Sequence, residues 1–522
     1  MNMKRIKQLI LILSALLVTV PNQLQAQKNI NDVIKVNPSN IRVIKDNQDV
    51  KGYFIFYKAD KLKGKEYSYK LVILDENAEK VATKSLVASK YFALLESSYN
   101  QEQLCFKFYD IKEKMVSLIF YDNEANKVKT KKYEARKIEK KMILMNLNSE
   151  TQMPPTIKSV GQIGFLEYRT VKNEKDGYIL TYFPNDKSTK GWTFKSKINS
   201  DKTQNLTPLS ANEELITSLL VTRPSRMSKD FTYYVIGNDI NSGDEQFRYP
   251  VKSSKYDESP INAFYNKETG NISLLGYYFT KGDGMTKGKS LGIVHTEIDP
   301  KGKELSKDYI NWKADVSKVL PVDKRNKFID VGYIFFHEFI KTTDGRIYGI
   351  GESYRKAQKG LNTALKLAAA AGGDASGVSI VTISVEDFYI FEFDSEFNFI
   401  DVKLFEKGAS NTNIPGLGAA PVLLGYLTKA FNGFDFADVK TIDGGDSFVL
   451  FYQDFERRKK EKNKSVAGVI SNTKGEYTTD KIDIDTDADF IKVLPAQGSN
   501  VLFVEFFKKE KDLQMNMKKL NY

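Results

Sequence analysis

Val501-Leu502-Phe503-Val504-Glu505-Phe506-Phe507 is apolar at every position but one and follows the turn Gln497-Gly498-Ser499-Asn500. A strand that is apolar on both of its alternating faces must be covered on both. Phe448-Val449-Leu450-Phe451-Tyr452, behind Asp443-Gly444-Gly445-Asp446, repeats the arrangement, and Thr343-Asp344-Gly345-Arg346 opens a third case. Lys127-Val128-Lys129-Thr130-Lys131-Lys132-Tyr133 is the opposite kind of strand, because alternating lysines suit an exposed edge guarded against further pairing. Apolar middle strands with a polar outer strand are what a sheet wedged between two neighbouring sheets requires. That is a propeller blade.

A turn signature recurs outward from these strands. An apolar residue, an Asp and two or three polar residues lead into the next strand at Leu74-Asp75-Glu76-Asn77, Tyr121-Asp122-Asn123-Glu124, Ile298-Asp299-Pro300-Lys301-Gly302 and Phe393-Asp394-Ser395-Glu396. Ser471-Asn472-Thr473-Lys474-Gly475 is a looser relative. Asp and Asn side chains bond the local backbone in such turns. The punctuation marks about eight units, near 39–88, 91–136, 157–198, 203–252, 259–312, 331–407, 434–483 and 489–522, within the typical range for propellers. The last unit offers three strands, and a segment near Asn29 to Val36 is expected to supply the fourth and close the ring. The expected fold is all-β, a β-propeller of about seven to eight four-stranded blades with a short helical insertion. Tandem β-sandwiches are the alternative for short, regularly spaced strands.

Two insertions break the repeat, at 356–378 and 408–433. Within the first, Leu361, Ala364, Leu365 and Ala368 fall at helical spacing before Gly372-Gly373. The second is apolar from Ile414 to Phe431. One interrupts the link between second and third strands and the other joins two blades, and both kinds of link leave a propeller on the same face. They are therefore expected to pack together through Leu361, Leu365, Leu423, Leu424 and Leu427, with Tyr426 and Phe431 as candidate anchors for a partner.

Residues 1–26 have the tripartite form of a secretory signal peptide: basic Lys4, Arg5 and Lys7, apolar Leu9 to Val20, and Leu24-Gln25-Ala26 before Gln27. Cleavage near Ala26 is expected to leave 27–522 as a single propeller domain, secreted to the periplasm or the cell exterior. Cys105 is the only cysteine, which excludes a lipid anchor at the cut and an internal disulfide and leaves a buried structural thiol. No later run approaches the roughly 18 apolar residues of a spanning helix. With its signal peptide and strand meander, the chain resembles the secreted β-propeller proteins of Gram-negative bacteria that lack assigned functions. The resemblance covers the whole mature length and implies a fold and an address, with no activity to carry over.

Catalytic signatures fail on inspection, so no catalytic residue is assigned. Gly288-Lys289-Ser290-Leu291-Gly292 has the letters of a nucleophile elbow, but a turn leads here into a strand and not into the helix that exposes the serine. The overlapping stretch from Gly282 to Ser290 ends like a phosphate loop, yet Asp283 stands where that loop needs glycine. His295 and His337 are the only histidines and lie in separate units, which with one cysteine excludes a Cys/His zinc site. His337 reads as a satisfied core histidine. Asp483, Asp485, Asp487 and Asp489 alternate, but Ala488 sits where a calcium loop needs glycine, and the stretch reads as a solvated connector. No metal and no cofactor are expected.

The formal net charge is +12, and loss of three basic residues with the signal lowers it to +9. The turns between second and third strands hold much of the excess, at Lys58 to Lys65, Lys172 to Lys175, Arg223 to Lys229, Lys281 to Lys289 and Arg457 to Lys464. The opposite turns carry Asp46 and Asp49, Glu213 and Glu214, Asp344, and Asp443 and Asp446. One basic face is therefore expected, with Lys61, Lys63, Arg226, Lys287, Arg457, Arg458, Lys459 and Lys460 as candidate contacts for an anionic partner. The expected function is a non-catalytic binding or assembly module whose partner is an envelope protein or an acidic glycan, not a nucleic acid. A secreted hydrolase or lyase acting on acidic polysaccharide through channel carboxylates is the rival.

Overall fold

The computed structural model describes residues 28–520 apart from 47–48, 137–139, 141–142, 144–155, 174, 187, 197–202, 226–227, 229, 267–268, 358–378, 417–419, 443–444, 457–463 and 485. Eight antiparallel sheets follow one another along the chain as the blades of a β-propeller. The first blade is β2 (Lys35–Asp46), β3 (Asp49–Lys61), β4 (Glu66–Leu74) and β5 (Lys80–Ser89), ordered from the axis outward. Its successors span 92–134, 157–195, 203–251, 256–311, 333–405, 436–484 and 490–519. The eighth blade owns three strands, and β1 (Lys28–Ile30) pairs with its outermost, Asp512–Lys519, through Lys28↔Met515 and Ile30↔Leu513. Both chain ends thus share one sheet. The closing segment begins at the expected place but is shorter, because Val36 already belongs to the innermost strand of the first blade.

Alternation explains why middle strands are apolar throughout. On β3, Tyr53, Ile55 and Tyr57 pack against Leu502, Val504 and Phe506 of the eighth blade, while Phe54 and Phe56 pack against Phe106 and Phe108 of the second. The same division produces a separate apolar core between every neighbouring pair of blades, and the eight cores close the circle. Tandem sandwiches would pair sheets two by two, so that alternative falls. Cys105 is fully enclosed in the core between the second and third blades, where burial pushes its thiol far up.

The recurring Asp turn is the hairpin between third and fourth strands. Asp75 Oδ1 accepts from the backbone N–H of Asn77 at 2.9 Å and of Glu79 at 2.7 Å. Asp299 and Asp394 do the same for Lys301 and Lys303, and for Glu396 and Asn398. Three residues after each Asp the chain enters the left-handed region, at Ala78 (φ 59°), Ala125 (62°), Gly302 (82°) and Phe397 (65°). In Phe397 that otherwise unfavourable geometry is held by burial against Phe393, 4.6 Å between ring centres.

Between the sixth and seventh blades, α2 (Pro421–Ala430) lies against the innermost strand of the sixth, Tyr333–Lys341, and against α1 (Gly284–Lys287). Since α1 is a link between second and third strands and α2 a link between blades, their contact places both kinds of connection on one face, as the strand assignment requires. Leu424 is buried against Phe335, Tyr354 and Ile414, with Leu423 and Leu427 beside it. Leu361 and Leu365 lie outside the described residues. Part of the second insertion is a strand, Ser410–Gly416, which pairs with the first half of Ser379–Phe393 as a fifth strand of that sheet. No helix among the described residues is long and apolar enough to cross a membrane.

Candidate binding site in the axial channel

The innermost strands surround a cavity of about 990 Å³, to which seven of the eight blades contribute. Its walls are the last residues of those strands, and its rim includes the turns that follow, among them Gln101, Gly161 and Asn212 to Glu214. It therefore opens on the face that carries Asp46, Glu213 and Glu214, opposite the lysine-rich turns.

Charges on the wall come from distant parts of the chain. Lys45 of the first blade passes in front of the eighth to Asp438 of the seventh, with Nζ 2.6 Å from Oδ1 and 3.1 Å from the Val439 carbonyl. Lys158 of the third blade donates to the Leu209 carbonyl at 2.6 Å, and burial, partly opposed by Glu338, pushes its ammonium down to about 8. Outside the cavity lining, Arg42 and Lys492, on adjacent blades, are both held below their ordinary values by burial; each lacks an ion pair among the described residues. Lys440 is committed to the carbonyls of Ala496 and Gly498, at 3.0 and 2.9 Å.

Glu338 is the exceptional acid. It sits opposite Ile350, just past the bulge at His337 in the innermost strand of the sixth blade, and lines the cavity. Among the described residues it makes no hydrogen bond or ion pair. Burial raises it to about 7 although Lys429, Lys45 and Lys158 oppose the rise; Asp438 adds to it. An unpartnered, perturbed carboxyl on a cavity wall marks a functional candidate.

Behind Glu338 lies an enclosed ionic cluster. Lys429 of α2 donates to His337 Nδ1 at 3.3 Å, which fixes the neutral imidazole with its proton on Nε2, donated to Glu352 at 3.1 Å. Burial, Lys429 and Lys407 together hold His337 well below its usual range. Phe436 stacks on the ring at 4.5 Å. His337 is thus the satisfied core residue its apolar strand suggests. His295 is also buried and bonds Ser273 at 2.6 Å, while Ser290 is bound within its own turn and receives the Trp312 indole N–H at 3.1 Å. The elbow-like serine and its nearby histidine therefore do not meet.

Lys61 and Lys63 of the first blade and Lys287 of the fifth are exposed on the lysine-rich face. Arg226, Arg457, Arg458, Lys459 and Lys460 lie outside the described residues. Tyr426 and Phe431 are partly buried in the packing of α2, and the Tyr426 ring meets Phe335 edge-on at 5.3 Å. Asp483, Asp487 and Asp489 are exposed, with Asp489 accepting from the Lys508 N–H, and Asp485 lies outside the described residues. No group of three metal-binding side chains occurs among the described residues. Glu338, Lys158 and Lys45 escape sequence reasoning, and the signal for them is faint: a single charge inside an otherwise apolar innermost strand, as in Phe336-His337-Glu338-Phe339.

Fold and cavity together define an eight-bladed β-propeller with a charged axial channel. The chain belongs to the family of unknown function DUF6770, which it matches over residues 3–521. None of the curated proteins matches it. Among solved structures it is similar to a prolyl endopeptidase, with 11% identity and a TM-score of 0.33 over 90% of this chain; it spans 58% of that chain. It is similar also to the β-propeller domain of the Trilobed protease from Pyrococcus furiosus, with 9% identity and a TM-score of 0.38 over 86% of this chain and 97% of that one. Polysaccharide lyase Uly1 matches with 8% identity and a TM-score of 0.38, over 82% and 90% of the two chains.

Proposed function

We propose that this protein is an exported binding module that holds an anionic partner in its axial channel. The observation that carries the reading is the half-buried Lys158 ammonium on the wall, which has no carboxylate partner among the described residues. Lys45 is neutralised by Asp438, but Lys158, and Lys341 nearer the rim, have no ion-pair partner among the described residues. A desolvated, unpaired ammonium such as that of Lys158 costs stability that an incoming anion offsets. The basic hairpins of the opposite face are a second attraction for acidic polymers, spread over several blades and largely exposed where described.

The test separates the two surfaces. Binding of a fluorescent acidic polysaccharide is expected to weaken steeply between 0.05 and 1 M salt, where the screening length falls to about 3 Å. Lys158→Met is expected to weaken binding about tenfold, the worth of one charge-assisted hydrogen bond. Reversing Arg457, Arg458, Lys459 and Lys460 should change mainly the salt dependence. Binding unchanged at 1 M salt would remove the electrostatic basis, and binding lost only in the reversed-charge variant would move the site to the basic face.

Glu338 favours one second reading, a hydrolase or lyase using it as acid or base near neutral pH. A two-carboxylate hydrolase needs a free partner acid, and Asp438, the acid that Glu338 senses, is bound to Lys45.

Export is supported by the basic, apolar and small-residue segments of 1–26. Leu13→Asp with Leu17→Asp breaks the apolar segment, and uncleaved precursor is expected in the cytosol on immunoblots of fractionated cells. Normal processing of that variant would end the export reading.

A further inference from the structure

Once internal bonds are assigned, the cavity keeps two sets of polar groups. One is cationic: the half-buried Lys158 of the third blade, bonded to a carbonyl but to no carboxylate, with the exposed Lys341 of the sixth nearer the rim. The other consists of groups suited to hydroxyls. The Glu338 carboxyl has no hydrogen-bond or ion-pair partner among the described residues, the Asn212 amide nitrogen is buried facing the Tyr265 hydroxyl, and Asn262 uses its oxygen on the Ala263 N–H. A bare inorganic anion would satisfy the lysines while being repelled by Glu338. A neutral sugar would satisfy Glu338 and the amides but leave Lys158 without a counter-ion. A ligand with a carboxylate beside a row of hydroxyls answers both sets.

We infer that the axial cavity takes the acidic end of an oligosaccharide, with the sugar carboxylate on Lys158 and ring hydroxyls on Glu338, Asn212 and Asn262. The inference rests on the channel being the binding site. Size agrees: about 990 Å³ lies at the upper end of the roughly 300–1,000 Å³ of small-molecule sites and exceeds what one inorganic ion needs. The rim agrees as well, since Asp46, Glu213 and Glu214 repel densely charged polyanions more than a chain with one charge per sugar or fewer. Phe264 and Tyr265 line the same cavity and supply apolar surface for a sugar ring.

Isothermal titration with the purified protein tests this, using a glucuronate tetramer, a glucose tetramer, inorganic phosphate and polyglutamate as probes. The glucuronate tetramer is expected to bind at least about tenfold more tightly than each of the others. Lys158→Met should remove most of that preference, and Glu338→Gln should weaken the glucuronate tetramer without exposing the site to the glucose tetramer. Equal binding of the two tetramers would overturn the inference. Phosphate or polyglutamate binding that is sensitive to Lys158→Met, with no glucuronate binding, would overturn the sugar class and leave the channel as an anion site. Glucuronate binding indifferent to both substitutions would overturn the channel reading and the inference together. Circular dichroism of each variant separates lost binding from lost fold.

Discussion

Lys407→Met is expected to lose about 3–5 kcal/mol of unfolding free energy at pH 8, the usual cost of stranding one partner of a buried ion pair. The Lys407 ammonium and the Glu352 carboxylate are both fully enclosed, 3.2 Å apart, and Asp435 lies 2.6 Å from the same nitrogen. Glu352 also receives the backbone N–H groups of Asp435 and Phe436, each at 3.2 Å, and the imidazole N–H of His337. These donors orient the carboxylate without neutralising it, so removing Lys407 leaves two acids facing each other in a low-dielectric interior. Burial already raises both carboxyls, and Lys407 restrains the rise. The sign follows from linkage. A carboxyl raised in the folded state binds protons that the unfolded chain has released, so stability falls as pH rises through that window. The deficit should therefore be smaller at pH 5 than at pH 8, where neither acid can keep a proton as readily. Urea unfolding at both values measures it. Adding Glu352→Gln should recover part of the loss, because the isosteric amide removes one of the stranded charges. A loss below about 1 kcal/mol at pH 8 would mean that water reaches the cluster and the pair is screened like a surface one.

That cluster and the channel show why some features are legible in sequence and others are not. Blade boundaries depend on local information. Asp75, Asp122, Asp299 and Asp394 each bond backbone within four residues, and the strands beside them alternate by a period that needs no knowledge of the partner. Lys45 and Asp438 stand 393 positions apart, and nothing local in either strand announces the other. The axial site draws its charges from four of the blades, so its composition is diluted among apolar strands that look structural. The fifth strand of the sixth blade was hidden for a different reason. Ser410–Gly416 has little strand character, and it pairs because Ser379–Phe393 is 15 residues long and runs past the fourth-strand pairing that begins at Phe388. Length in one strand created the demand for another.

Glu338→Gln is expected to make the protein more stable at pH 7.5, by about 2 kcal/mol, while weakening its ligand binding. The wild-type carboxyl is raised from 4.5 to about 7 in the folded state. Between those values the native protein holds a proton that the unfolded chain lacks, so acidification stabilises it and rising pH removes that stability. Above about 7 the full cost of a desolvated, unpartnered carboxylate is present. The shift alone corresponds to roughly 3 kcal/mol, and the partial exposure of Glu338 reduces it. Glutamine keeps the shape and discards the charge. The groups facing this position are Lys429 from α2, Lys45 and Lys158 from the first and third blades, and Asp438 from the seventh. Loss of the acid lowers Lys158 and Lys429 slightly further and eases Asp438, effects that largely oppose one another. The gain should thus be near zero at pH 4.5 and grow to its full size by pH 7.5, as read from denaturant midpoints across that range. A variant no more stable than wild type at pH 7.5 would mean that the carboxylate is already well solvated or paired. A gain of equal size at pH 4.5 would assign it to packing. A pH-dependent gain in stability, set against weaker binding of an acidic sugar, is what separates a residue retained for a ligand from one retained for the fold.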